Sequence, residues 1–465
     1  MNTTFHVAFD LGASSGRLIL GTFKDQKIEL EEIYRFANTP VQLNGVLYWD
    51  FPKLYKEMTY GLKLLSQRSL NIESLSIDTW GVDFGYLDKH GQLITLPKNY
   101  RNKTKLDYEN ELYEKLSKDN YFNETGISPT SLNSLLQIYE DIQRNPWLIE
   151  AVDTVLFMPD LFNYFFTGTK NTNFSIASTS GLLDLKQQFS TKILNKLNIP
   201  RSWFTKNIVY YEVIGTLTEE VQELTNLNDV KVISSASHDT SASLITVQES
   251  NAFLSCGTWS ILGVVTDEPV ISQRVYTSGL TNEGTMNGKT KLLKNINALW
   301  ILQELQRHWS EQGNMFSFEQ LTSMAKNSIY KETIDIDDEC FMQTGNMENI
   351  INDYLKKREL PLPQSVGDFS RLVLESISEK YKNVLENLEL STNKHFTKIH
   401  MVGGGIQNEL LCQLTAEKTK KQVLTGPIEA SSFGNILGQL IALNRITTKD
   451  IPNILEKSTT LKIYQ

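Results

Sequence analysis

Hydrophobic and polar positions organise the first third of the chain into strands and one helix. Phe5–Asp10 is an apolar, β-compatible run, LGASSG (residues 11–16) breaks it, and RLILGTF reads as strand again. KDQK is a turn, and IELEEIYRF alternates as a third strand. The spacing then becomes helical over FPKLYKEMTYGLKLLSQR (51–68). IESLSID (72–78) returns to strand and VDFGYLD (82–88) follows. Strands, a helix and strand again predict an α/β domain. From about residue 107 to 168 the pattern is largely helical, with LFMPDLFNYFFTG an aromatic-rich core segment; residues 169–184, rich in Thr, Ser and Asn, read as irregular.

The second half repeats this order of elements. VKVISSASHDTSASL (230–244) is strand then helix. NAFLSCGTWSILGVV (251–265) is strand, small-residue turn and strand, as HVAFDLGASSGRLILGTF is at the start. The shared pattern suggests a duplication: two α/β lobes, residues 1–245 and 246–465, each offering a Gly/Ser/Thr hairpin. KIHMV, GGGIQN, ELLCQLTAEKTKK, QVLTG and PIEASSFGNILGQLIAL then alternate strand and helix to residue 443.

Composition narrows the function classes. A chain of 465 residues, at roughly 100–200 residues per domain, accommodates two or three domains. A formal net charge of −9 disfavours nucleic acid and anionic membrane as partners. The three cysteines, Cys256, Cys340 and Cys412, are far apart in sequence and form no CxxC pair, which points to a reducing compartment, the cytoplasm. No signal peptide and no membrane span are expected. The six histidines show no metal-ligand spacing.

Several segments carry candidate chemistry. In GASSGR (12–17), successive N–H groups with the Ser14 and Ser15 hydroxyls suit phosphate oxygens, Arg17 adds a fork of donors, and Asp10 suits Mg²⁺ through water. It is not a Walker A loop, because no GK[ST] ending is present and a strand follows. GTWS (257–260) is a second small-residue hairpin, with Thr258 as a phosphate donor. Taken singly, each is the ordinary turn that small residues make; two in one chain reinforce each other, because a triphosphate gripped between lobes needs donors from both. GGGIQN fails the dinucleotide fingerprint and better suits adenosine or its ribose. Asp78, Trp80 and Asp83 around Gly81 are either a sugar platform or a packed Trp with strand-edge acids. Asp239 reads as the N-cap of a helix starting near Thr240, with a pKa at or below about 3.9. That is a weak base, yet sufficient where phosphoryl transfer needs the nucleophile positioned. His238 beside it is either a sugar contact or a packed histidine.

FDLGASSGR, IDTWGVDFGYLD, ASHDTSAS, LSCGTWS, LKNINALWILQ, GGGIQNELL and GPIEASSFGN, in this order, resemble the FGGY carbohydrate kinases over residues 9–435. DTWGVDF with ASHDTSAS is similar to the rhamnulose branch over the glycerol and xylulose branches. The resemblance implies two ribonuclease-H-like lobes of the actin-like ATPase type facing a central cleft, and ATP-dependent phosphorylation of the O1 hydroxyl of L-rhamnulose. By position it implies Asp239 as base, with Gly81, His238, Thr240 and Asn295 at the sugar. Ala13, Ser14, Ser15, Gly16 and Arg17 would hold the triphosphate from one side and Thr258 from the other. Gln303, Gly404 and Gly405 would meet the nucleoside, and Asp10 the water shell of Mg²⁺. NINALWILQ reads as helix, so Asn295 and Gln303 would lie about 12 Å apart along one side of it. Cys256 is expected to be buried packing. A sibling ketose kinase for fuculose or xylulose, or a non-catalytic ATP- or sugar-sensing module, stays open, and oligomeric state is not readable.

Overall fold

The computed structural model describes residues 3–206 and 208–465. Two sheets form its frame. The first contains Thr4–Leu11 (β1), Ser15–Lys24 (β2), Lys27–Ala37 (β3), Ile72–Thr79 (β4), Glu212–Thr216 (β5) and Lys231–Ser234 (β6), in the spatial order β3-β2-β1-β4-β6-β5. The second contains Ala252–Cys256 (β7), Trp259–Thr266 (β8), Thr281–Gly284 (β9), Thr290–Asn297 (β10), Lys398–Val402 (β11), Gln422–Thr425 (β12) and Lys462–Tyr464 (β13), in the order β9-β10-β8-β7-β11-β12-β13.

The duplication is a property of the topology. β1 pairs antiparallel with β2 and parallel with β4, and β4 runs parallel to β6. In the second sheet β7 pairs antiparallel with β8 and parallel with β11, and β11 runs parallel to β12. Even the antiparallel outer strands correspond, β5 on β6 and β13 on β12. These are the two ribonuclease-H-like lobes. Parallel strands bring their C-terminal ends to one side of a sheet, where ligands of open α/β sheets bind. The turns after β1, β4, β6, β7, β11 and β12 all leave from such ends.

Helices cover both faces. Phe51–Ser66 (α1) begins at Asp50, whose side chain accepts from Lys53 N, and buries Leu54, Met58, Leu62 and Leu65 at helical spacing. Met158–Thr167 (α2), the aromatic segment, is core as expected: Leu161, Phe162 and Phe166 are fully buried. Asp239–Leu244 (α3) follows β6. The 27-residue Val366–Thr392 (α4) lies on the second sheet. Ala430–Ala442 (α5), far along in sequence, packs on β1 and β4 of the first sheet and crosses α3. At the crossing a Cβ on Gly434 would stand 1.8 Å from the carbonyl oxygen of Ala242, so only glycine lets the two backbones meet. Among the described residues, no helix is long and apolar enough to cross a membrane.

One element differs from expectation. Residues 290–297 form strand β10, paired with both β8 and β9, and helix begins only at Trp300. Lys291, Leu292 and Leu293 are all buried, so no two-residue alternation marks the strand in the sequence. Asn295 and Gln303 therefore stand on different elements, and the 12 Å helical spacing does not exist.

Candidate active site

The first hairpin turn is short. Gly12 N–H donates to Ser15 O at 2.9 Å, and Asn38 clamps the turn through its N–H to Ser14 O (3.0 Å) and its Nδ2 to Gly12 O (2.8 Å). Ser15, Gly16 and Arg17 already belong to β2, leaving Ala13 and Ser14 at the tip, with Ser14 exposed. Gly16 is set by packing, since a Cβ there would lie 2.4 Å from the Phe36 ring. The second hairpin mirrors the first: Gly257 N–H donates to Trp259 O at 3.0 Å, and Thr258 is exposed at its tip.

Behind the first turn sits a buried polar core supplied by α5. Oδ2 of Asp10 accepts from Arg17 Nη2 (2.5 Å), Ser431 Oγ (2.7 Å) and Ser432 Oγ (2.9 Å). The other arm of Arg17 is paired with Glu429. Burial opposes the guanidinium charge, but Asp10 and Glu429 outweigh it and raise its pKa. Its fork is thus already engaged by two carboxylates. Asp78, fully buried, accepts from Asn435 Nδ2 at 2.6 Å, and Gln439 bonds Val7 O at 2.8 Å. Residues 431, 435 and 439 recur at helical spacing, so α5 presents a polar stripe to β1 and β4. The segment GPIEASSFGN carried this signal, and sequence reasoning gave its side chains no role.

Asp239 is the first residue of α3, and the N-cap is His238, one residue earlier than expected. Oδ1 of Asp239 accepts from the N–H and from Oγ1 of Thr240, which is itself buried. The side chain remains 36% exposed. Its pKa is pushed up to about 6, first by burial and then by the charge of Asp10. This corrects the expectation of a pKa at or below the ordinary value, because the capping environment that would favour the charge is replaced by a recess shared with another carboxylate. Asp78 is pushed well above its ordinary range by burial and again by Asp10, with Asp239 adding to it. Three acids thus face one another with Arg17 as the nearby guanidinium.

His238 is buried beside Asp239. Its ring Nε2 lies 3.4 Å from Asp239 Oδ1 and its backbone N–H donates to Ser175 Oγ. A bridge joins Thr79 and His238, which brings the end of β4 to the end of β6. Gly81 follows at once: a Cβ there would sit 3.2 Å from Thr179 Oγ1 and 3.3 Å from His238 Nε2. Trp80 and Asp83 do not form a sugar platform. Trp80 is buried against Trp49, ring centroids 4.2 Å apart, and both indole N–H groups donate to Asp83 Oδ2.

Asn295 is exposed on β10, opposite Ile261. The half-buried Gln303 lies one turn into the helix that starts at Trp300, whose N–H donates to Thr258 O. The glycines after β11 differ from one another. A Cβ on Gly403 would lie 2.8 Å from Cys256 O, and one on Gly405 2.3 Å from Cys256 Sγ, whereas Gly404 has nothing within 4 Å. Cys256 is buried and its thiol is pushed up by burial, as packing requires. Lys291, Glu283 and Thr179 also border the site, and no sequence pattern pointed to them.

Asp10, expected to meet the water shell of Mg²⁺, fits that ion, and Asp78, for which the sequence suggests no metal role, lies beside it. Asp10 and Asp78 present carboxylates close enough to repel, and Oδ1 of Asp78 is buried with no hydrogen-bond partner. Among the described residues no three His, Cys, Asp or Glu side chains cluster closely enough to ligate a metal directly.

Comparison with known proteins places these features in a family. Residues 5–246 match the N-terminal domain of the FGGY family of carbohydrate kinases, and residues 252–443 its C-terminal domain. The chain is 37% identical over 464 residues to a rhamnulokinase of Bacteroides thetaiotaomicron, covering 98% of this chain and 95% of the relative. It is 35% identical over 445 residues to a rhamnulokinase of Halalkalibacterium halodurans, covering 95% and 94%. Among solved structures, a gluconate kinase from Lactobacillus acidophilus superposes with a TM-score of 0.82 at 14% identity, covering all of this chain and 94% of that one. Plasmodium falciparum glycerol kinase with ADP gives 0.81 at 14% identity, covering 99% and 94%. At that identity the two structures establish the fold.

Proposed function

The chain belongs to the FGGY family of carbohydrate kinases, and we propose that it transfers the γ-phosphoryl group of ATP to O1 of L-rhamnulose, giving L-rhamnulose 1-phosphate and ADP. It is a phosphotransferase with an alcohol acceptor. One observation carries the reading to its mechanism: Asp239 keeps a partly exposed carboxylate just after β6, within reach of the charge of Asp10 on β1, in a chain that aligns over nearly its whole length with rhamnulokinases.

Asp239 takes the proton of the sugar O1–H as the new O–P bond forms and the bond from phosphorus to the ADP oxygen breaks. A pKa of about 6 suits this work. The carboxylate is ionised at neutral pH, yet a stronger base than an exposed aspartate. Thr240 fixes Oδ1 and leaves the other oxygen for the substrate. Gly81 leaves room over His238 for the sugar, and Asn295 borders the same space from the second lobe. Ala13, Ser14, Ser15 and Gly16 cradle phosphate oxygens through the β1–β2 turn, with Arg17 behind it, and Thr258 reaches them from the facing turn. Gln303 and Gly404 contact the nucleoside; of the three adjacent glycines only Gly404 has open space above it. Gly405 shapes that turn from below. Asp10, with Asp78, holds Mg²⁺ through water. When bound, that ion neutralises charge on the β- and γ-phosphates.

ADP release measured on a panel of ketoses tests the reading. Turnover concentrated on L-rhamnulose supports it. Preference for fuculose or xylulose would assign a sibling kinase, and ADP release that no sugar stimulates would leave a sensor.

A further inference from the structure

Lys291 is fully buried, with a side-chain exposure of 0%, and its partners come from both lobes. It sits on β10 of the second sheet. Its Nζ lies 3.0 Å from Nδ1 of His238 at the end of β6, 2.7 Å from Oγ of Ser241 on α3, and 3.2 Å from Oε2 of Glu283 on β9. An ammonium has three protons and no acceptor, and three acceptors surround it. Ser241 is free to accept because its own hydroxyl proton goes to Gly284 O at 3.0 Å. Glu283 balances the charge, so the lysine is buried as a partner in an ion pair.

The arrangement fixes the imidazole. Nδ1 of His238 faces the Lys291 ammonium at 3.0 Å, nearer than the Glu283 carboxylate at 3.8 Å; against that donor it is the accepting nitrogen, which assigns the proton to Nε2. That N–H lies between Asp239 Oδ1, 3.4 Å away, and Gly81, where a Cβ would press on the ring at 3.3 Å and on Thr179 Oγ1 at 3.2 Å, so only glycine leaves the Nε2 edge uncovered on that side. Burial and the charge of Lys291 both push the His238 pKa well below its ordinary value, which agrees with a neutral ring.

We propose that Lys291 is a positioning residue for the sugar: by donating to Nδ1 it holds His238 as the neutral Nε2–H tautomer and so presents a fixed hydrogen-bond donor to an acceptor oxygen of the ketose beside Asp239. The inference rests on the kinase reading above. It assigns the second lobe a part in sugar recognition through a residue that need not touch the sugar. With Lys291 replaced by methionine, Nδ1 loses its donor and the ring is free to take the Nδ1–H tautomer or to flip, either of which removes the Nε2–H donor from beside Asp239.

Two measurements decide it. Long-range ¹H–¹⁵N spectra of the unmodified protein labelled at histidine, with the His238 signal identified by its loss in His238→Gln, should show the proton on Nε2; a proton on Nδ1 overturns the proposal. Kinetics then test the route of action. Lys291→Met should lower kcat/KM for the sugar about 10²-fold, the scale of a misplaced contact, with the KM for ATP unchanged. In a His238→Gln background, which keeps a donor near the Nε2 position, the same change should cost little more. An equal loss in both backgrounds, or a loss on the ATP side, would show that Lys291 does not act through His238. If Lys291→Met fails to fold because Glu283 is left unpaired, Lys291→Met/Glu283→Gln is assayed in its place, and the spectrum of the unmodified protein stands regardless. Should the ketose panel select another sugar, the substrate assignment falls, while tautomer and non-additivity with that sugar still decide the role of Lys291.

Discussion

Asp10 and Asp239 stand at the ends of different strands of the first sheet, and the charge of Asp10 helps raise Asp239 to a pKa of about 6. One acid is tied down by Arg17, Ser431 and Ser432; the other keeps an open carboxylate. On the proposed reading the pair divides the work: Asp10 organises the phosphate side, and Asp239 is the base that meets the sugar.

Replacing Asp239 by Asn removes the base and little else. The expected outcome is a fall in kcat of roughly 10²–10⁴-fold with a modest change in nucleotide affinity, read by steady-state kinetics and by ADP titration. Near-normal turnover would remove Asp239 from its role.

The same carboxylate predicts a pH dependence with opposite signs for activity and stability. Activity should fall on the acid side with an apparent midpoint near 6, as Asp239 takes up a proton. For stability, the folded state holds that proton up to about pH 6 and the unfolded chain only to about 3.8, so stability decreases as pH rises through this window. Asp239→Asn should therefore melt at a higher temperature than the unmodified protein at pH 7, with the gap closing below pH 4. Thermal melts at both pH values check this; an equal gap at the two would refute it.

Arg17→Ala should raise the KM for ATP and leave the KM for the sugar nearly unchanged. The variant loses the link between Asp10 and Glu429, which ties the first hairpin to the start of α5. An unchanged KM for ATP counts against a phosphate role for this turn.

The two glycines after Gly403 separate packing from contact. Gly405→Ala places a methyl 2.3 Å from Cys256 Sγ, and the resulting overpacking should cost about 1–3 kcal/mol in chemical denaturation. A methyl on Gly404 meets nothing within 4 Å, so Gly404→Ala should leave the melting temperature alone while raising the KM for ATP. The reverse pattern would exchange their roles.

How far the sequence reveals this arrangement depends on where the determinants of each feature lie. Both hairpins are visible because their small residues interrupt β-compatible runs within a dozen positions. Gly404 and Gly405 are visible as a pair, but only the position of Cys256, on a neighbouring strand, distinguishes them. Asn295 was placed on a helix because β10 is covered on both faces, which erases alternation. The environment of Asp239 is not legible locally, because Asp10, which shifts it, is remote in sequence. Lys291 gives no local sign at all: its partners are at positions 238, 241 and 283, and a lysine in KTKLLKN reads as surface.

The crossing of α3 and α5, where Gly434 touches the backbone of Ala242, has a mechanical implication. The helix bearing the base and the helix bearing the three side chains that hold Asp10 and Asp78 are locked in register, like two bars pinned at one joint. On the proposed kinase reading, a nucleotide bound between the hairpins meets a constellation of acids whose spacing is already set. The spacing of Asp10, Asp78 and Asp239 is thus set jointly by the first sheet and by a helix that comes from the second half of the chain.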